Sequence, residues 1–79
     1  LNQALNLIKN ALLDGSSDIA GLQNLATEFI NEAGLKTDYV LIRDAKTMEP
    51  VTENNNDIVI LGAAYLGKAR LIDNLCFQR

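Results

Sequence analysis

Seventy-nine residues hold one domain at most, near the lower limit for independent folding, because so short a chain buries only about 60–65% of its unfolded surface. Seven basic and ten acidic side chains leave a net charge of −3 and a pI near 4.6. No three cations lie close together, which argues against the basic stripe that phosphate contact requires, and so against a nucleic-acid binder. Histidine is absent and Cys76 is the single cysteine, which excludes an intrachain disulfide and a zinc site made of neighbouring ligands.

The balance of 48% hydrophobic and 22% charged residues is that of a globular chain, and the 5% aromatic share requires an aliphatic core. Ordering at roughly 1.5 kcal/mol per residue offsets nearly all the apolar gain at this length. Cys76 is expected as a small buried strand residue in a cytosolic protein. No apolar run reaches the length of a membrane span, and no signal peptide is expected. The sequence opens on Leu1, already inside an amphipathic pattern, and reads as a piece of a longer protein.

Leu1, Leu5, Ile8 and Leu12, with Ala4 and Ala11 beside them, recur at helical spacing and predict a helix over 1–14, ended by Gly15. Ser16 and Ser17 are expected to cap a second helix with Asp18 in its first turn. That helix carries Ile19, Leu22, Leu25, Ala26, Phe29, Ile30 and Ala33 and closes at Gly34, with Leu35 folding back in a Schellman-type contact. The short connection makes the helices antiparallel neighbours.

Tyr39-Val40-Leu41-Ile42 predicts a strand over 38–44 ending in Arg43-Asp44. Pro50 interrupts regular structure across 45–56, and Asn54-Asn55-Asn56 marks an exposed turn. Ile58 to Tyr65 is apolar on both alternating faces, as a central strand requires. Within it, Gly62, Ala63 and Ala64 stay small where helices pack closely. Gly67-Lys68 fits a type II′ hairpin turn, from which Leu71 to Phe77 returns as the last strand. The expected fold is α+β in two layers, a helical pair packed on a three-stranded antiparallel sheet whose other face and edges are partly bare.

With these elements in place, D-Y-V-L-I-R-D-A at 38–45, T-M-E-P-V at 47–51 and D-I-V-I-L-G-A-A-Y-L-G-K-A-R-L-I-D-N at 57–74 resemble the C-terminal domain of the pantothenate synthetase (pantoate–β-alanine ligase) family. The resemblance covers essentially the whole chain. It implies a cytoplasmic two-domain parent enzyme that activates pantoate with ATP and magnesium as a pantoyl adenylate, which the β-alanine amine then attacks. It also implies that this segment caps the cleft of an N-terminal nucleotide-binding domain absent from the chain. The family's histidine-containing phosphate motif and its Ser-Ser-Arg-Asn segment have no counterpart here, since Ser16-Ser17 is followed by Asp18. Carried over residue by residue, no catalytic, cofactor-binding or metal-binding position falls in this chain, and the fragment is expected to bind no cofactor and to be inactive alone.

Among the polar residues, Arg43 or Arg70 could clamp an ATP phosphate on closure, and Lys68 could reach a substrate from its turn. The structural alternative pairs Arg43 with Asp73, or Asp44 with Arg70, across strands, or lets these residues and Asn74 cap loops, and it is the favoured reading. Asp44, Glu49, Glu53 and Asp57 lack the spacing of a calcium loop and are expected to be a solvated acidic segment. A function of another class, a free-standing α+β interaction module without catalysis, is the alternative to the ligase domain. Bare edges and apolar surface favour self-association when the partner domain is missing.

Overall fold

The computed structural model describes residues 1–52 and 55–79. The expected element order is observed: α1 (Asn2–Leu13), α2 (Ile19–Glu32), β1 (Lys36–Asp44), β2 (Asp57–Leu66) and β3 (Ala69–Gln78). The apolar stripe of α1 buries Ala4, Leu5, Ile8 and Leu12, and that of α2 buries Leu22, Ala26 and Ile30. Both helices end in the same hydrogen-bonded motif. At Gly15 (φ +99°) its own N–H donates to Leu12 O (3.1 Å) and that of Ser16 to Ala11 O (3.0 Å). At Gly34 (φ +91°) the donors are Gly34 to Asn31 O (3.1 Å) and Leu35 to Ile30 O (3.3 Å). These are Schellman closures, which need a left-handed residue after the last turn.

The N-terminus of α2 departs from expectation. Asp18, not a serine, is the N-cap, and its Oδ1 accepts the Gly21 N–H at 3.1 Å. Ser16 is already committed to closing α1, and the Ser17 carbonyl accepts the Ile19 N–H at 3.0 Å. The two serines therefore belong to the connection between the helices.

The sheet is antiparallel with order β1-β2-β3, so β2 is central. Side chains alternate between faces. Ile58, Ile60, Gly62 and Ala64 of β2 turn toward the helices, with Val40 and Ile42 of β1 beside them, and Leu75 and Phe77 of β3 pack at the margin. Ile42, Ile58 and Ile60 are completely buried, each contributing roughly 1.5–3 kcal/mol by removal from water. Gly62 lets α1 approach closely: a Cβ there would lie 3.1 Å from Leu5 Cδ2 and 3.4 Å from Leu1 Cδ1. The other face carries Tyr39, Leu41, Leu61, Ile72 and Cys76 without a covering layer, and Ile72 is 62% exposed.

Two details position the polar groups. The β1–β2 register slips between Thr37 and Tyr39, making Asp38 the extra residue of a β-bulge. The β2–β3 hairpin pairs Leu66 with Ala69 around Gly67-Lys68. Gly67 has φ +60° and Lys68 no positive φ, which is the type II′ turn.

Candidate functional site: the polar positions of the sheet

Neither cross-strand pair expected from the sequence forms. Arg70 Nη2 instead bonds Asp38 Oδ2 at 2.9 Å, with the guanidinium carbon 6.0 Å from the Tyr39 ring centroid. The bulge is the reason. Strict alternation from Val40 would turn Asp38 toward the helices, whereas the bulge keeps it beside Tyr39 on the uncovered face, where Arg70 lies. The Asp38 hydrogen bond raises the Arg70 pKa further above its already high ordinary value. Arg43 donates through Nη1 to the Ile42 carbonyl at 3.1 Å. Asp73 accepts from Asn2 Nδ2 at 3.4 Å and from the Asn74 N–H at 2.8 Å. Lys68 and Asn74 are exposed, Lys68 in its turn. Cys76 is exposed on the uncovered face and not buried as expected, because alternation along β3 gives the helix side to Leu75 and Phe77.

Among the described residues Asp44 is the one charged residue in the buried set, at 9% exposure. Its Oδ1 accepts the N–H groups of Lys46 (2.8 Å) and Thr47 (3.0 Å), and Oδ2 accepts from Asn55 Nδ2 at 2.5 Å. The two backbone donors lower its pKa below the ordinary value, against a weaker opposing effect of burial. Asp57 pairs with Lys46 Nζ at 3.0 Å and accepts from Gln78 Nε2 at 2.8 Å. The Lys46 bond lowers the Asp57 pKa and raises that of Lys46. The acidic stretch is thus not simply solvated, since Asp44 is an inward-turned organiser of its loop. Glu53 and Asn54 lie outside the described residues, and no group of acidic or thiol side chains among the described residues converges as a metal cage.

A cavity of about 160 Å³ opens between Ser17, Ile19, Val51, Thr52 and Arg79. Its cation is already committed: Arg79 Nη2 donates to Thr52 O at 2.7 Å and Nε to Asn55 O at 2.8 Å. A phosphate cradle needs convergent free donors or a glycine-rich loop, and the described residues of this chain do not fit ATP or its magnesium ion. Nothing in the sequence patterns singled out Asp38, Gln23, Asn31 or Arg79. Gln23 and Asn31 sit on polar helix positions that read as solvent-facing, yet both bond the edge of β1.

The geometry defines a two-layer α+β domain whose polar side chains serve its own loops and strand edges, with no nucleophile–base or metal constellation among the described residues. Comparison with known proteins supplies the family. The sequence profile described as Pantoate-beta-alanine ligase matches residues 1–76, and the chain belongs to that family. It is 47% identical over 75 residues to the pantothenate synthetase of Saccharophagus degradans, covering 95% of this chain and 26% of that protein. It is likewise 47% identical over 75 residues to that of Stutzerimonas stutzeri, with the same coverage. With the Pseudomonas savastanoi pv. phaseolicola protein it shares 43% over 79 residues, 100% of this chain and 28% of the relative. The chain therefore spans only about a quarter of the length of the curated relatives it matches.

Proposed function

We propose that this chain is the C-terminal, cleft-capping domain of a pantothenate synthetase that condenses pantoate and β-alanine with ATP through a pantoyl adenylate. The observation that carries the reading is the combination of near-complete coverage of this chain with about a quarter coverage of its relatives. The commitment of Arg43, Asp44, Arg70 and Arg79 to intradomain bonds supports it further. The reacting groups belong to the remainder of the parent, and the domain's contribution is closure. By excluding water it lets the activated carbonyl meet the amine before hydrolysis does. The uncovered sheet face, with Tyr39, Leu41 and Ile72, offers apolar surface for that contact.

The test replaces the matching segment of the Saccharophagus degradans relative by these residues, beside the chain alone and the relative truncated of that segment. The chimaera should form pantothenate, and the truncated enzyme should lose most of it, releasing AMP without product. The isolated chain should form none. Pantothenate made by the isolated chain would overturn the proposal.

A further inference from the structure

The two edges of the sheet are treated differently. Along β1 the outward-pointing backbone groups are taken one after another. The Thr37 N–H donates to Asn31 Oδ1 (3.1 Å), Val40 O accepts from Gln23 Nε2 (3.0 Å), Ile42 O accepts from Arg43 Nη1 (3.1 Å), and the Asp44 N–H donates to Glu49 O (2.8 Å). With the bulge at Asp38 and the bridge from Arg43 to Pro50, this edge cannot accept another strand.

On β3 the turn makes Leu66 and Ala69 the doubly bonded pair. Alternation from there directs the N–H and C=O of Arg70, Ile72, Asn74, Cys76 and Gln78 away from β2. Among the described residues only the Asn74 N–H of this set has a partner, the adjacent Asp73 carboxylate at 2.8 Å. The remaining groups form an open antiparallel edge whose side chains include Ile72 at 62% and Leu71 at 40% exposure.

We propose that this chain pairs with a second copy of itself along β3, forming a continuous six-stranded antiparallel sheet about a twofold axis at Asn74. In that register, and in no neighbouring one, every outward residue of β3 finds a partner, since centring on Leu75 would leave Arg70 without one. Centred on Asn74, the whole outward set pairs: Arg70 with Gln78, Ile72 with Cys76, and the two Asn74 amides with each other. On the helix side Leu71 meets Phe77. Centring on Asp73 would set two carboxylates face to face, which is destabilising, and centring on Ile72 would leave Cys76 and Gln78 unpaired. The twofold axis runs through the sheet, so both helix layers stay on one side, and Asp73 releases the Asn74 N–H to the partner strand. The pairing uses the edge and not the uncovered face, and is independent of the ligase reading.

Sedimentation equilibrium of the chain, taken up to about 1 mM to reach weak self-affinity, should show a monomer–dimer equilibrium. Asn74→Lys sets like charges at the axis on an exposed position and should leave a folded monomer by circular dichroism. Ile72→Cys places a thiol opposite the partner's Cys76 at a Cα separation of about 5.5 Å, within disulfide reach. Mild oxidation should then give a covalent dimer. The wild-type chain should not cross-link, its two Cys76 residues being about 13 Å apart along the strands. A strict monomer throughout, a dimer that survives Asn74→Lys, or a dimer in which Ile72→Cys fails to cross-link would each overturn the proposal.

Discussion

Gly62 is a point of close approach between the helical layer and the sheet, and its replacement tests the packing quantitatively. In Gly62→Ala the new Cβ sits 3.1 Å from Leu5 Cδ2, so that methyl must yield by a few tenths of an ångström. The reduced backbone entropy of the unfolded chain offsets this by about 0.5–1 kcal/mol, and stability should change little. In Gly62→Val two further methyls extend toward Leu5 and Leu1, and Leu5 is completely buried. Overpacking of this kind costs about 1–3 kcal/mol. For a domain of this size that is a fall in Tm of about 4–24 °C. Urea and thermal unfolding of both variants give the magnitude, and a cycle with Leu5→Ala locates it. Removing the opposing side chain should make the double variant less destabilised than the sum of the single ones by about 0.5–3 kcal/mol. A Gly62→Val chain as stable as Gly62→Ala, or strict additivity with Leu5→Ala, would refute the close approach of α1.

Asp44 and Asp57 both have folded-state pKa values below the ordinary 3.8, so the unfolded chain takes up protons first as the solution is acidified. Their contribution is complete from about one unit above that value and is lost as pH falls through the folded-state values. Urea midpoints between pH 3 and 7 should show this loss, and Asp44→Asn should flatten the profile. Asp18→Ala should cost about 0.5–2 kcal/mol by removing the α2 cap, measured by chemical unfolding. Gly21→Ala should gain less than the usual ~1 kcal/mol of helix propensity, because its Cβ would collide with the Asp18 carboxylate. In the chimaeric enzyme, Arg70→Ala should leave kcat nearly unchanged, since Arg70 is held by Asp38; a collapse of kcat at unaltered Tm would make it a ligand contact.

Much of this architecture was legible because its signals are local. Periodicity separated Leu5-Ile8-Leu12 from the continuous apolar run of β2, and Gly15, Gly34 and Gly67 occupy the left-handed positions that their contexts predict. The antiparallel sheet followed from the lack of crossover helices and the central place of β2 from its apolar run, whereas the full strand order came only with the structure. What stayed hidden depends on contacts between distant residues. The partner of Arg70 turns on one inserted residue in β1, which no alternation rule anticipates. The role of Asp44 requires Asn55, eleven residues away, to close over it. Residue type alone places Cys76 in the interior, whereas the alternation of Leu71, Asp73, Leu75 and Phe77 assigns it to the other side. The family emerged from long stretches of sequence, whereas the intradomain bonds of Arg70 and Arg79 depend on partners 32 and 27 residues away that no local pattern names.

The extra residue at Asp38 also gives β1 an unusual tolerance. Elsewhere in the strand, loss of one residue would invert every following side chain, sending Val40 and Ile42 to water and Leu41 into the interior. At the bulge a shortened chain would simply join Thr37 to Tyr39 with the partners Ala64 and Ala63 they already have. The sheet thus holds one point where its length can vary without scrambling its two sides, and the Arg70 anchor is what would be given up there.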